Sequence, residues 1–175
     1  LATSGLPSNA PANASIFAIT VTSDPFAVFF NSAADVPFAG CIEDGGSSAP
    51  QNTGTSTYFA DGGATNLTTR GALHAAIADG EPHWFEARTV PLDTWTAFEF
   101  CGFEIGGSAH LEGIAIPLCI LDNDHPEIAS ARALAQRYAL AVMHALGFGG
   151  AAPEVELADW WRTDLENTRL RMWLG

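Results

Sequence analysis

Three glutamates near the middle of the chain, Glu99, Glu104 and Glu112, are the first candidates for catalysis. Glycosidases place two carboxyl groups on either side of the scissile bond, one as the acid and the other as base or nucleophile. Sequence spacing does not set the distance between side chains, and 20 of the 175 residues are acidic. Because exposed glutamate is the rule in proteins, we interpret these as solvated strand positions and predict no catalytic residue among them.

The oxygen-rich run Asp122-Asn123-Asp124-His125 could bind a cation. A Ca²⁺ loop needs further spaced ligands and a turn glycine, whereas Pro126 and Glu127 follow here. Asp124 and Glu127 instead fit a D-x-x-E capping box with proline in the first helical turn. The run therefore predicts a helix start and no metal site. A metal-dependent enzyme that uses His110, Asp122 and His125 is a third alternative.

Two fragments of catalytic motifs are incomplete. In a zincin helix that ends at His144, the first histidine and the glutamate would fall at Leu140 and Ala141, which are apolar. Ser108 and His110 lie close together, but they form no G-x-S-x-G elbow and have no orienting acid. Phosphate-binding and dinucleotide-binding glycine motifs are absent from the sequence. We therefore predict no catalytic residue and no cofactor, which favours a protein that is not an enzyme.

The remaining cysteines and histidines also lack a site pattern. Cys41, Cys101 and Cys119 are widely spaced and form neither a CxxC nor a Cys/His pair, which argues against zinc fingers and thioredoxin motifs. His74 and His83 have no recognisable partner. Cys101 and Cys119 are predicted to be buried thiols that pack as small apolar side chains.

The charge balance limits the possible partners. The chain has 20 acidic residues, 7 arginines and no lysine, for a formal net charge of -13. Such a chain repels phosphate backbones and anionic lipid surfaces, so we expect no direct nucleic-acid binding. No run of about 18 apolar residues predicts a membrane span, and no targeting segment is visible. An apolar fraction of 47% is typical of a globular domain.

The N-terminal part is predicted to be rich in strands and loops. Residues 1–14 are small, polar and proline-bearing, which indicates an extended arm or linker. Residues 15–68 are expected to form a β-rich layer. Within that layer, alternation from Ile16 to Thr22 and an apolar run from Ala27 to Phe30 predict two strands, and residues 45–57 predict a loop.

Residues 69–175 are predicted to form a core of helices and a sheet. Helical periodicity covers Thr69 to Asp79, and strands are expected around 84–90, 95–105 and 109–121. A long alanine-rich helix should follow Pro126 and end at Gly147. The fold class is thus α+β, a mainly antiparallel sheet with one long helix packed on it, in a single domain from 15 to 175. The C-terminal segment fits a helix or strands, with strands slightly favoured.

The stretch from Phe98 to Leu121 is predicted to be a hairpin in the core. The apolar phase slips at Cys101-Gly102, which indicates a β-bulge, and a turn is expected at 106–108. In that register Cys101 and Cys119 are too far apart for a disulfide. Pro117 cannot donate a ladder hydrogen bond, so it should lie at an edge or a bulge.

The order of elements after residue 69 resembles a known family. The apolar strand Ile114–Leu121, an Asp/Pro-bearing cap and the alanine-rich run 131–146 are similar to tail-terminator and neck-connector proteins of tailed phages. In those families a sheet and a helix pair form rings that join head and tail. The resemblance implies a non-enzymatic structural role for residues 69–175, with the first 68 residues as an added arm or β-layer.

The sequence thus favours a structural subunit of an oligomeric, phage-like assembly, located in a virion or outside the cell. Its expected partners are copies of itself and other assembly proteins. The alternative is a secreted β-rich domain that binds or cleaves carbohydrate. Its possible binding residues are the tryptophans Trp84, Trp95, Trp160, Trp161 and Trp173.

Overall fold

A computed structural model describes residues 2–3, 9–32, 38–52, 54–101 and 113–148, which form two antiparallel sheets and two α-helices. This arrangement confirms the α+β class, with strands dominating. The strands are β1 (Ala2–Thr3), β2 (Ala14–Thr22), β3 (Phe26–Asn31), β4 (Phe38–Glu43), β5 (Thr57–Ala60), β6 (Pro82–Val90), β7 (Phe98–Phe100) and β8 (Gly113–Asp122), and the helices are α1 (Arg70–Ile77) and α2 (Ile128–Ala145).

The two sheets pack on each other, and α2 covers the outer face of the second. The first sheet has the order β1-β7-β3-β4 and the second β5-β6-β2-β8. Ile16 and Ala18 of β2 pack in the core between the sheets, whereas Phe17 and Ile19 pack under α2. The alternation predicted for β2 is therefore correct, and both of its faces are buried because the first sheet covers one and α2 covers the other.

Strands from the two predicted parts of the chain are interleaved in both sheets. β2 lies between β6 and β8, and β3 pairs with β7. Residues 15–68 therefore do not form a layer separate from the helix–sheet core. The predicted arm is also attached where it is described: β1 pairs with β7, and the Asn13 carbonyl accepts from the Asn123 amide.

Helix α1 forms as predicted and contacts a neighbouring turn closely. The Thr69 hydroxyl accepts from the Ala72 amide at the start of α1, and Leu73 and Ile77 are buried. Gly71 lies against the turn after β4, where its amide donates to the Gly46 carbonyl over 2.8 Å. A Cβ added at Gly71 would lie 2.9 Å from that carbonyl oxygen. This contact leaves no room for a side chain.

We expect Gly71→Ala to destabilise the protein by about 1–3 kcal/mol because the new methyl group clashes with backbone. In an open helix the same change would stabilise by about 1 kcal/mol, so the sign of the effect tests the contact. Urea unfolding measures it, with Ala75→Gly at an exposed position of α1 as the measure of propensity alone. A stabilised Gly71→Ala variant would show that α1 and the turn do not touch.

Helix α2 is long and alanine-rich as predicted, but its predicted capping box is wrong. The helix begins at Ile128, and Glu127 occupies the cap position without a side-chain hydrogen bond. The Asp124 carboxylate instead accepts from the Asn13 side-chain amide over 2.9 Å. The helix ends before Gly147, whose φ of 86° is favourable for glycine. Three alanines four residues apart face the sheet and are buried: Ala131, Ala135 and Ala139.

The predicted hairpin between β7 and β8 is wrong in its described part. β7 pairs with β1 and β3, while β8 pairs along its length with β2 in the other sheet. The predicted turn at 106–108 and Gly102 lie outside the described residues. Cys101 adopts a φ of 52°, so the chain is already irregular where the bulge was expected. Pro117 lies at a register shift on the edge strand β8, which confirms that prediction.

Candidate functional site

A chain of polar side chains joins the arm, the second sheet and α2. The Asn123 side-chain amide donates to Asn13 Oδ1 over 3.1 Å. The Ser15 hydroxyl donates to Asn123 Oδ1 over 2.8 Å. The same Asn123 oxygen accepts from Arg132 Nη2 over 2.8 Å. The run 122–125 that could have bound a cation thus directs Asn123 towards a guanidinium and Asp124 towards an amide. Its role in this structure is to hold the turn between β8 and α2.

Arg132 continues this chain into a buried ion-pair cluster. Glu86 of β6 has no exposed surface, and its two carboxylate oxygens pair separately with Arg132 Nε at 2.8 Å and Arg88 Nη2 at 2.7 Å. The Arg88 guanidinium also lies over the Phe59 ring, 4.0 Å from its centroid. A buried carboxylate is costly unless it is paired and hydrogen-bonded. Both glutamate oxygens are occupied, so the cluster secures α2 to the sheet and is not open to a substrate.

A second ionic cluster, the His83 clamp, consists of His83, Asp61 and Asp79. Nδ1 of His83 lies 2.6 Å from Asp61 Oδ2, and Nε2 lies 3.0 Å from Asp79 Oδ1. Burial acts to lower the pKa of His83, but hydrogen bonds to the two carboxylates outweigh it, so the pKa is raised above 6.5. The pKa of Asp79 is lowered, first by the Glu81 amide and then by His83. Both ring nitrogens are occupied, which leaves neither free to act as a base on a nucleophile.

The cysteines are free thiols without nucleophilic character. Cys41 and Cys119 are buried and Cys101 is partly buried, which confirms that no disulfide joins the last two. Burial raises the pKa of each to about 12. Arg70 partly offsets this effect at Cys41, and Glu86 adds to it at Cys119. A thiol with so high a pKa carries almost no thiolate at neutral pH, so these groups act in packing.

The other candidate catalytic and metal-binding residues, where the structure describes them, lie on separate elements. Glu99 accepts a hydrogen bond from Asn31 over 3.1 Å, while Glu104, Glu112, Ser108 and His110 lie outside the described residues. His125 makes a local hydrogen bond with the Glu127 amide, and His144 lies in the last turn of α2. In the described ranges, no three His, Cys, Asp or Glu side chains are placed to hold a metal ion. Among the candidates that the structure describes, Glu99, His125 and His144 make separate contacts and do not form a common site.

Comparison with known proteins gives no relative. No family model, curated protein or solved structure matches this chain. The site must therefore be interpreted from its own geometry.

Three large hydrophobic side chains that the structure describes are more than 40% exposed, and they belong to the start of β8 and the C-terminal part of the α2 segment. Because α2 runs back along β8, its C-terminal half lies beside the start of that strand, and Ile116, Val142 and Met143 pack against the same cluster. The large hydrophobic side chains most exposed among the described residues are at this end: Ile114 at 42%, Leu140 at 45% and Leu146 at 45%. We name these three residues the apolar end. No helix in the described ranges is long and apolar enough to cross a bilayer.

Sequence reasoning missed both ionic clusters. A signal for the first was present: Glu86 interrupts an apolar strand, and Arg132 falls on the stripe of α2 that faces the sheet. For the second no such signal existed, since Asp61 and Asp79 follow strand and helix ends as ordinary Asp-Gly turns. Only the fold brings these two carboxylates to one histidine.

Proposed function

We propose that the protein is a non-enzymatic structural subunit of an oligomeric assembly, with copies of itself and other assembly proteins as partners. The observation that carries the proposal is the apolar end, where Ile114, Leu140 and Leu146 are each more than 40% exposed. Exposed hydrophobic residues that form one patch are typical of protein–protein contacts, and we propose that these three residues belong to one such patch. Ile114 belongs to β8, an edge strand of its sheet, so the contact region combines an apolar patch with a sheet edge.

The described ionisable groups also favour binding over catalysis. Enzymes usually shift the pKa of buried or half-buried ionisable groups at their active sites. In this protein Glu86, His83 and the cysteines are ionisable groups that are buried or half-buried. Glu86 and His83 are occupied by intramolecular partners, and the cysteines are neutral thiols. Nothing in this arrangement presents a reactive atom to a substrate.

The resemblance to tail-terminator and neck-connector proteins extends the proposal to a phage-like virion, in a tail, neck or head-associated position. The order α1, β6, β7, β8, α2 agrees with the helix, strands and long helix of that pattern. It differs in that β2, from the first 68 residues, lies inside the same sheet. Location in a virion or outside the cell belongs to the same proposal.

The carbohydrate-binding alternative has less support from the described residues. Trp84 and Trp95 are each 4% exposed and belong to the core, so neither offers a stacking platform for a sugar ring. Trp160, Trp161 and Trp173 lie outside the described residues. The alternative therefore rests on these three residues and on the carboxylates Glu104 and Glu112, which also lie outside the described residues.

Sedimentation of the purified chain tests the proposal. We expect wild type to self-associate, and Leu140→Asp to weaken the association at least tenfold because it puts a charge in the apolar end. Ala133→Asp, two turns earlier at an exposed position of α2, adds the same charge and should have little effect. Association should strengthen with salt, since screening reduces repulsion between chains of net charge -13. A strictly monomeric wild type at high concentration, or equal effects of the two variants, would contradict the proposal.

A further inference from the structure

The geometry of the His83 clamp requires a charged imidazole. A neutral imidazole has one N–H, whereas the imidazolium has two. Both ring nitrogens face carboxylate oxygens, at 2.6 Å for Asp61 and 3.0 Å for Asp79. Ionised carboxylates only accept hydrogen bonds, so both contacts form together only when His83 carries its second proton. Once that proton leaves, one nitrogen lone pair faces a negative oxygen.

The two carboxylates are held in place independently of the histidine. Asp61 Oδ1 accepts from the Trp84 amide over 3.0 Å, and the Asp61 amide donates to the Trp84 carbonyl over 2.9 Å. Asp79 Oδ1 also accepts from the Glu81 amide over 2.9 Å. These backbone contacts place both carboxylates at the ring, so after deprotonation of His83 neither carboxylate can rotate away from the ring without losing a backbone hydrogen bond.

The clamp joins the ends of three elements. Asp61 directly follows β5, Asp79 lies two residues after α1, and His83 is the second residue of β6. The next residue, Trp84, stacks on Phe17 under α2 with ring centroids 6.0 Å apart. One proton therefore connects the segment 61–69 and the end of α1 to an inner strand of the second sheet.

We propose that the His83 clamp is a pH-sensitive latch that releases the segment 61–69 and the end of α1 from β6 when His83 loses its proton. The proposal is independent of the assembly function. Other ionisable groups on the surrounding elements are few: β2 has none, β5 has the buried Tyr58, α1 has Arg70 and His74, Glu81 precedes β6, and β6 itself has Glu86 and Arg88, which pair with each other. Asp61 and Asp79 are the charges that act on His83.

The direction of the pH dependence follows from the raised pKa of His83. Its stabilisation is complete below the unfolded-state value of about 6.5 and is lost as the pH rises through the folded-state pKa. The lowered pKa of Asp79 acts in the opposite direction, because its contribution is lost as the pH falls through the folded-state value. The latch is therefore closed in mildly acidic solution and opens as the pH rises above the pKa of His83 in the folded protein.

Two measurements test the latch. Titration of the His83 ring by NMR should give a pKa above 6.5, and Asp61→Asn should bring it down. Hydrogen exchange, corrected for the intrinsic effect of pH, should show a severalfold loss of protection between pH 6 and pH 9 at three amides, those of Asp61, Glu81 and Trp84. Protection of the Phe17 amide should stay constant over the same range. His83→Gln should have low protection at both pH values, whereas His74→Gln on α1 should behave as wild type.

Three results would overturn the proposal. They are a His83 pKa at or below 6.5, equal protection of the three amides at both pH values in wild type, and pH-dependent protection that persists in His83→Gln. If His83→Gln does not fold, the wild-type titration and exchange still decide. A parallel loss at Phe17 would indicate global unfolding, which also contradicts a local latch.

Discussion

Phe85→Ala is expected to lower the free energy of unfolding by about 3–5 kcal/mol, the largest effect of any single change considered for this protein. Phe85 has no exposed surface and lies between the two sheets. Its ring centroid is 4.8 Å from that of Phe29 and 5.7 Å from that of Phe30, both on the opposite sheet. Truncation therefore removes buried apolar area, leaves a cavity and breaks two aromatic contacts.

Urea unfolding at fixed pH measures this loss, with Phe26→Ala as the matched control. Phe26 belongs to β3 and is only partly buried, at the edge of a small separate cluster. The same truncation should lower the free energy of unfolding clearly less there, because the Phe26 side chain is partly solvated and its removal leaves no enclosed cavity. Equal losses at the two positions would mean that the packing between the sheets does not dominate stability.

Local patterns in the sequence were sufficient for the elements that depend on local interactions. The alternation of β2 and the helical periodicity of α1 were both predictable, since strand faces and helix faces are set by residues a few positions apart. Pro117 also lies at an edge bulge as expected, because a residue without an N–H is excluded from the inner part of a ladder. These predictions needed no knowledge of the rest of the fold.

Strand partners could not be obtained in the same way. The β7–β8 hairpin was predicted from a turn expected at 106–108, yet β8 pairs with β2, and β7 belongs to the other sheet. A central strand from the N-terminal part thus determines which residues meet. The same is true of the ionic clusters, in which Glu86 and Arg132 lie 46 positions apart and His83 and Asp61 lie 22 apart.

The capping error has a similar cause. Asp124 has the right type and spacing for a helix cap, and Glu127 follows three residues later. In the fold, Asn13 lies close enough to donate to Asp124, and this long-range hydrogen bond takes the place of the local one. A short polar side chain accepts whichever donor the tertiary structure supplies. Helix caps are therefore less predictable from sequence where a distant segment, here the one that contains Asn13, lies beside the start of the helix.

Arg132→Ala is expected to destabilise the protein by about 3 kcal/mol, since it removes one of two cations from a fully buried carboxylate. Glu86 would keep Arg88 on one oxygen and lose its partner on the other. Asn123 would lose a donor at the same time, so the turn that leads into α2 would be loosened. The fully buried residues of α2 are alanines, and its larger contacts with the sheet, Ile128, Tyr138, Val142 and Met143, are only partly buried, so they compensate for little of that loss.

Chemical unfolding of Arg132→Ala and Arg137→Ala separates this effect from a general loss of charge. Both changes remove one arginine from α2, but Arg137 is exposed and its loss should cost less than about 1 kcal/mol. In a double-mutant cycle, Glu86→Gln should remove much of the penalty of Arg132→Ala, because no buried charge then remains unpaired. The Arg132 effect should also persist in high salt, since buried pairs are screened weakly. An additive cycle, or a penalty that salt abolishes, would mean that apolar packing alone holds α2 on the sheet.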